Sequence, residues 1–167
     1  MSTLSVDTIQ GKTTAGTVAM PSGHIVQVQR TYVADAPSGF YQVSSTSLSA
    51  SGIQCSITPK FSNSLILVDF SSSQTNCGSN EQMRGRMYLK IGSASISAMS
   101  GADQFHLGYS ATSYNRYAPF CFSGSYTATS TDTLMFEPYI QSVSGNGTVK
   151  LLNGGASARL TLIEVKQ

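Results

Sequence analysis

Charged side chains are scarce in this sequence, because Asp, Glu, Lys and Arg together supply only 11% of its 167 residues. A typical soluble domain has about a quarter. The net charge is +2 and the closest basic pair is Arg84 and Arg86, so no basic stripe is present for binding nucleic acid. Ser, Thr, Asn, Gln and Gly must form most of the surface. Such a surface can pack against copies of itself with little charge to desolvate, or contact neutral glycans, and it favours assembly or adhesion.

Titratable groups of the kind that catalysis uses are also few. The two histidines, His24 and His106, are far apart, and the eight carboxylates are spread singly from Asp7 to Glu164. Zinc sites usually contain a close pair of ligands, and glycoside hydrolysis uses a carboxylate pair. The GxSxG nucleophile elbow is missing, and residues 11–13 (GKT) match only the end of a phosphate-binding loop. The sequence therefore predicts no enzyme activity, no metal and no cofactor.

Long apolar runs are missing, and so is any closely spaced cysteine pair. No run approaches the roughly 20 residues that span a bilayer, and residues 1–10 lack the basic and apolar regions of a signal peptide. The sequence thus predicts no membrane insertion and folding in a cytoplasm. Among the three cysteines, Cys55 and Cys121 lie in strand-like runs and are predicted to be small buried residues. Cys77 lies in a polar stretch, and a disulfide is not expected in a reducing compartment.

Helix signals are nearly absent, and short alternating runs bounded by Gly, Ser, Asn and Pro take their place. The predicted strands are residues 24–33, 53–57, 64–71, 84–91, 93–99, 104–109, 117–127, 133–141, 148–152 and 157–166. About nine or ten strands at a spacing of about 8–12 residues indicate an all-β fold, an antiparallel β-sandwich or jelly roll. Two packed sheets would bury their inner faces in one core.

The most apolar run, residues 64–71 (SLILVDFS), predicts a central and well-buried strand. Its core side chains are expected to be one of two alternating sets. The first set is Leu65, Leu67 and Phe70, and the second is Ile66 and Val68. The last strand, 157–166, carries apolar residues on both faces, which is typical of a strand in the middle of a sandwich.

Two other runs carry more specific expectations. Residues 53–57 (IQCSI) alternate cleanly and should end before Pro59, which cannot donate a ladder hydrogen bond. In residues 24–33, Ile25 is expected to share a face with Gln27 and Gln29. Residues 145–147 (GNG) are a strong turn signal, because Gly and Asn adopt positive φ readily.

Residues 1–22 differ from the rest, because they are extended in character, rich in Thr and Gly, and poor in core material. The chain is therefore divided into an N-terminal arm, 1–22, and a β-sandwich domain, 23–167. Two interpretations of the arm stay open. It is either a frayed terminus or an attachment arm that adds a strand or an apolar plug to a neighbouring subunit, anchored by Leu4, Val6 and Ile9.

One stretch, residues 108–117 (GYSATSYNRY), has the composition of a binding loop. Its candidate receptor-binding residues are Tyr109, Tyr114, Asn115, Arg116 and Tyr117. Tyrosine offers a stacking face with a hydroxyl, and arginine adds a fork of donors, which suits sugars and protein surfaces. The alternative is an ordinary loop between strands whose tyrosines pack on the edge of the sandwich. A second candidate loop is the polar stretch 71–81.

Several segments resemble one family of proteins. They are MSTLSVDTIQ (1–10), GKTTAGTV (11–18), MPSGHIVQ (20–27), ITPKFSNSLIL (57–67) and LTLIE (160–164). In these segments the chain resembles small virion structural proteins of marine tailed phages, the tail-fibre-like proteins of cyanophages and pelagiphages. Residues from about 72 to 127 depart from that family. The resemblance implies a trimeric β-sandwich with an N-terminal attachment segment, and it supplies no catalytic residues.

The function that these features predict is a homotrimeric tail fibre or tail-attached adhesin of a virion assembled in the host bacterial cytoplasm. The arm would bind other virion proteins, and the sandwich would face a host surface glycan or protein. A capsid decoration (cement) protein or head fibre is the alternative, and the sequence does not separate the two. A glycan depolymerase is a third interpretation, and the missing carboxylate pair weighs against it.

Overall fold

A computed structural model describes residues 22–36, 41–78, 81–100, 105–107, 116–145, 147–152 and 155–167 of the chain. Within these ranges the chain forms twelve strands and no helix. The strands are β1 (Ile25–Ala36), β2 (Gln42–Val43), β3 (Ser49–Ala50), β4 (Cys55–Ile57), β5 (Leu65–Cys77), β6 (Met83–Ile91), β7 (Ser97–Ala98), β8 (Phe105–Leu107), β9 (Arg116–Thr127), β10 (Leu134–Ser142), β11 (Val149–Lys150) and β12 (Ala156–Val165). All ten predicted strands are present. The two that the sequence did not predict, β2 and β3, have two residues each.

The first sheet is built around β5, which confirms that the most apolar run forms a central strand. β12 pairs along one edge of β5 and β9 along the other, all antiparallel. β1 pairs with the far edge of β12, so the apolar residues on both faces of β12 lie in the middle of a sheet. β11 extends the β12 edge of β5 and pairs in turn with β2.

The second sheet is built around β10. β6 pairs with one edge of β10 over its whole length, from Leu134 to Ser142. β3 and β4 share the other edge of β10. β7 and β8 share the free edge of β6. Both sheets are antiparallel throughout the described residues and pack face to face, so the predicted β-sandwich is confirmed.

The core lies between the two sheets and follows the period-two alternation of the long strands. On β12 every second residue from Ala156 to Glu164 is buried, and on β6 the same holds from Met83 to Leu89. The largest buried side chains include Phe70, Phe136, Ile66, Met87 and Ile140. Full burial of such a side chain contributes roughly 1.5–3 kcal/mol. This core fixes which residues of each strand face outward.

The predicted core sets of β5 are corrected in one respect. Ile66, Val68 and Phe70 are all buried, whereas Leu67 is 38% exposed. Phe70 was expected to share a face with Leu65 and Leu67, and that expectation is wrong. Because side chains alternate strictly along a strand, Phe70 points to the same side as Ile66 and Val68. Leu65 and Leu67 belong to the outer face.

The cysteine expectations hold at one position of three. Cys55 is buried as predicted, and burial raises the pKa of its thiol. Cys121 was expected to be buried but is exposed, because it occupies an outward position on β9. Cys77 was assigned to a polar loop but is fully buried, because β5 continues to that residue. The polar stretch 71–81 is therefore strand as far as residue 77, and it is not a loop there.

Candidate functional site

The attachment and receptor-binding residues expected from the sequence fall mostly outside the described residues. Leu4, Val6 and Ile9, and the arm up to residue 21, lie outside them. So do Tyr109, Tyr114 and Asn115. Arg116 and Tyr117 begin β9, where they pair with Cys77 and Asn76, so their backbones belong to a strand of the first sheet.

The metal-ligating side chains of the described residues do not gather into a metal site. His24 is exposed beside the start of β1, and His106 lies in β8 opposite Arg84. Across the described ranges, no three His, Cys, Asp or Glu residues come close enough to hold a metal ion. No helix in the same part of the chain has the length and apolar character that a membrane crossing requires. The exposed side chains of the long strands lie on the outer faces of the two sheets.

The outer face of the first sheet consists of side chains on β1, β12, β5 and β9 that point away from the core. The pairing register arranges them in four rows across the sheet. The rows are Ile25–Val165–Leu65–Thr127, Val28–Ile163–Leu67–Ser125, Arg30–Thr161–Asp69–Ser123 and Tyr32–Arg159–Ser71–Cys121. We call the first two the apolar rows and the last two the polar rows.

A bulge near the start of β1 brings Ile25 onto this face. Ile25 pairs with Val165 and Gln27 pairs with Glu164, so an advance of two residues along β1 corresponds to one residue along β12. Val26 is the extra residue, and Ile25 and Gln27 consequently point to opposite sides of the sheet. The expectation that Ile25 shares a face with Gln27 is therefore wrong, and the bulge completes the first apolar row.

The apolar rows expose large hydrophobic side chains side by side. Ile25 is 58% exposed, Val28 is 53% exposed and Leu67 is 38% exposed. Leu65, Ile163 and Val165 are half-buried between them. Single exposed hydrophobic residues are common, but a contiguous group that spans three neighbouring strands is typical of a surface that binds another protein.

The fourth row, together with Arg30 of the third, lines an open depression of about 320 Å³ at the other end of the same face. Ser123 Oγ donates a 2.9 Å hydrogen bond to Asp69 Oδ1, and Arg159 Nη2 lies 3.7 Å from Asp69 Oδ2. The guanidinium carbon of Arg30 lies 5.7 Å from the centroid of the Tyr32 ring. These exposed groups offer both donors and acceptors, so they can form a polar rim beside the apolar rows.

Three buried glutamates were missed by the sequence reasoning, which counted carboxylates as scattered and unpaired. Glu81 and Glu164 are 0% exposed and Glu137 is 2% exposed. Each one accepts hydrogen bonds from the backbone of a loop that is distant in sequence. Glu164 accepts hydrogen bonds from the amides of residues 60 and 61, and Glu137 accepts one from the amide of Gly52. Glu81 accepts hydrogen bonds from the amides of residues 143, 144 and 147. The sequence does indicate burial for Glu164, because this residue occupies an inward position of the alternating last strand.

The Glu81 carboxylate binds residues 143, 144 and 147 around the predicted turn, whose residue 146 lies outside the described residues. Its Oε1 accepts the amides of Gln82, Val143 and Ser144 at 2.9–3.0 Å, and its Oε2 accepts the Gly147 amide and the Ser144 hydroxyl at 3.0 and 2.8 Å. Burial alone would raise the pKa of Glu81, but the hydrogen bonds, with the Ser144 amide foremost, outweigh it and lower the pKa to about 2. Residues 143, 144 and 147 are therefore held by an ionised carboxylate, which is a structural use of a titratable group.

The three glutamates have different neighbours. Glu81 and Glu164 are enclosed by the loops that they bind, whereas Glu137 lines a depression on the outer face of the second sheet. Each sheet thus carries an open depression on its outer face. A scan of protein-family models finds no match for this chain, and a search of curated protein sequences finds none either.

Proposed function

We propose that this chain is a non-enzymatic structural component of a tailed-phage virion, a homotrimeric tail fibre or tail-attached adhesin. The observation that carries the proposal is the pair of apolar rows on the outer face of the first sheet. The occupant of these rows is a second copy of the same chain. The resemblance of residues 1–27 and 57–67 to marine phage virion proteins supports the virion as the place of assembly.

The size of the outer face suits a subunit contact. Four strands about 4.8 Å apart, with rows about 7 Å apart, cover on the order of 500 Å² before side-chain relief is added. A standard interface buries about 800 Å² on each partner. The four rows with the surrounding rim are therefore large enough to account for most of one subunit's share.

The chemistry of the face also suits self-association. One half of it is apolar, and the polar rows carry charges of both signs: Arg159 lies 3.7 Å from Asp69, and Arg30 is in the same row as Asp69. Three such faces can therefore turn towards a common three-fold axis without a net clash of like charge. Serine and threonine hydroxyls occupy the β9 end of three rows. The free-energy cost of desolvating a hydroxyl is small when it forms a hydrogen bond across the contact.

The test is the oligomeric state of the full chain and of one outward-facing variant. Light scattering at micromolar concentration should give three times the mass of one chain. Leu67→Asp places a charge in the apolar rows and should yield a monomer, because an unpaired charge at the centre of a contact is costly to desolvate. Leu67 is outside the core, so the variant should keep the circular dichroism spectrum of the parent.

Ser56→Asp is the matched control, because Ser56 is exposed on β4 of the other sheet and also gains a carboxylate. It should remain trimeric. A parent chain that is monomeric, or a Leu67→Asp variant that is still trimeric, would contradict the proposed contact. Antibody labelling of assembled particles then decides between sites: labelling at the tail supports the fibre, and labelling at the head contradicts it in favour of capsid decoration.

A further inference from the structure

The outer face of the second sheet contains an open depression of about 500 Å³, within the size range of small-ligand sites. Its floor is β10, one wall is the segment before β4, and the opposite wall is the turn after β6 at residues 93–96. It lies on the opposite side of the sandwich from the apolar rows. A ligand bound here would leave the proposed subunit contact untouched.

The floor of the depression carries the buried carboxylate of Glu137. The Gly52 amide donates a 2.7 Å hydrogen bond to its Oε1, and Gln54 Nε2 donates a 2.9 Å hydrogen bond to its Oε2. Each carboxylate oxygen can accept a further hydrogen bond. These two contacts fix the carboxylate in position, so it does not lose conformational freedom when a ligand hydroxyl donates to it.

The wall before β4 is held in one conformation by its own hydrogen bonds. Gly52 has φ +77°, and a Cβ at this position would lie 2.9 Å from Cε1 of Tyr41, so only glycine fits. The Ser51 amide donates to the Pro138 carbonyl at 3.1 Å. The carbonyl of Gln54 accepts a 2.6 Å hydrogen bond from Thr31 Oγ1. The wall is therefore preorganised around Glu137.

An aromatic ring with a stacked partner forms another part of the depression. Tyr139 lines it, and Tyr88 stacks on Tyr139 with ring centroids 4.0 Å apart and an interplanar angle of 20°. Burial raises the pKa of the Tyr139 phenol, and the Glu137 charge raises it further, so the hydroxyl stays protonated as a donor. Tyr139 thus offers an apolar ring and a hydroxyl beside the same carboxylate.

The remaining lining groups balance each other in charge and polarity. Lys90 supplies donors, Ser93 and Ser95 supply hydroxyls, and Met135 and Ile96 supply apolar surface. Lys90 is the one basic residue of the lining and Glu137 the one acidic residue, so the lining has no net charge. A pyranose ring has hydroxyls that both donate and accept, and an apolar C–H face that packs on an aromatic ring.

We propose that this depression, the Glu137 site, binds one neutral pyranose unit of a saccharide. Ligand hydroxyls donate to Glu137, accept from Lys90 and the Tyr139 phenol, and the C–H face lies against the Tyr139 ring or the adjoining Met135. An anionic ligand would meet the Glu137 carboxylate at the floor, so the lining selects against a carboxylated or phosphorylated ligand. The Glu137 site lies on a surface that the proposed trimer contact does not use, so sugar binding and trimer formation can fail separately.

The test uses defined probes and saturation-transfer NMR on the full chain. The neutral probes are methyl β-D-glucopyranoside, methyl β-D-galactopyranoside and methyl α-D-mannopyranoside, and the acidic probe is methyl β-D-glucuronopyranoside. At least one neutral probe should bind with a millimolar dissociation constant, which is ordinary for a single sugar unit in an open site. Lys90→Ala should weaken that binding by about tenfold, because it removes a charge-assisted hydrogen bond.

Tyr139→Phe keeps the ring, removes the hydroxyl and should weaken binding by severalfold without unfolding the sheet. Lys150→Ala is the matched control for Lys90→Ala, because Lys150 is a half-buried lysine of the first sheet, and it should bind like the parent. Three results overturn the proposal: no neutral probe binds, binding is equal in the parent and both site variants, or the glucuronide alone binds. Each result stands whether the chain is a trimer or a monomer.

Discussion

Ser64 Oγ donates a 2.7 Å hydrogen bond to Glu164 Oε1, and 100 residues of chain separate the two. Both side chains are fully buried. The same oxygen accepts the amides of Lys60 and Phe61 at 2.8 and 3.2 Å, and Oε2 accepts Gln27 Nε2 at 2.6 Å. The last strand thus supplies the hydrogen-bond acceptors for the turn that precedes the central strand. All four partners are donors, so the position requires a group that only accepts.

Glu164→Gln should therefore destabilise the protein by roughly 2 kcal/mol despite its matching shape. Whichever way the amide is turned, its NH₂ group faces a donor, and at least one buried donor is left unsatisfied at a cost of about 1–3 kcal/mol. Urea unfolding at pH 7 would measure the loss as a lower midpoint. Asp69→Asn is the control, because Asp69 is about half exposed and its contact with Arg159 is long, at 3.7 Å. That change should cost less than about 1 kcal/mol, and an equal loss in both variants would contradict the assigned role of Glu164.

Acid should weaken the protein through Glu81. Its pKa is about 2 in the folded chain against the usual 4.5, so folding favours the ionised form. The stabilisation is fully present above the unfolded pKa and is lost as the pH falls from about 5 towards 2. The shift corresponds to roughly 3 kcal/mol at neutral pH.

The variant Glu81→Gln isolates this contribution. The difference in unfolding free energy between parent and variant should be largest at pH 6–7 and should shrink steadily towards pH 2, where Glu81 becomes protonated. Urea unfolding at a series of pH values measures it. A difference that is constant from pH 7 to pH 2 would mean that the ionised carboxylate does not hold residues 143, 144 and 147.

The strands could be predicted from the sequence because period-two alternation is a local property of β-structure. The run at residues 64–71 gave the central strand, and the alternation at 53–57 correctly placed Cys55 in the core. β2 and β3 have two residues each and lie outside the runs that the sequence marked, whereas β7 and β11, which are equally short, lie within the longer predicted runs 93–99 and 148–152. The predicted loop at 71–81 was wrong up to residue 77, because its polar residues are accommodated by pairing with β9.

The surfaces were harder to predict because they depend on register between distant strands. Ile25 reaches the outer face only through the bulge at Val26, and its row requires partners more than a hundred residues away. The Glu137 site likewise combines Gln54, Lys90 and Tyr139 from three separate strands or loops. Nothing in the spacing of these residues marks them as neighbours. Only the paired sheet brings a carboxylate, a lysine and a tyrosine together.

The two faces of β5 should respond very differently to truncation. Ile66→Ala removes a fully buried side chain and should cost roughly 2–5 kcal/mol through lost burial and the cavity left behind. Leu67→Ala removes a neighbour that is 38% exposed and should cost less than about 1 kcal/mol in a monomeric background. Thermal unfolding of both variants is measured at a protein concentration low enough for the chain to be monomeric, so that the effect on folding is separated from the effect on assembly. Equal losses at the two positions would contradict the register of β5.

The arm is predicted to attach the protein to the virion and to be dispensable for folding. The first backbone contacts of the described chain are made by Gly23, whose amide donates to the Lys166 carbonyl at 2.7 Å, and by His24, whose carbonyl accepts the Lys166 amide at 3.0 Å. All twelve strands and the described core follow these contacts. A chain that begins at Ser22 keeps every one of these interactions.

Such a shortened chain should therefore melt within about 2 °C of the parent, since that shift corresponds to less than about 1 kcal/mol at this chain length. It should also fail to appear on assembled particles, because an attachment arm gains its affinity by pairing its backbone and seating side chains such as Leu4, Val6 and Ile9 on a partner. Calorimetry measures the first property and antibody detection on purified particles measures the second. A large drop in melting temperature would assign the arm to the fold or to the subunit contact. Normal incorporation into particles would instead place attachment in the sandwich, and the apolar rows would then have to serve the virion as well as a second copy.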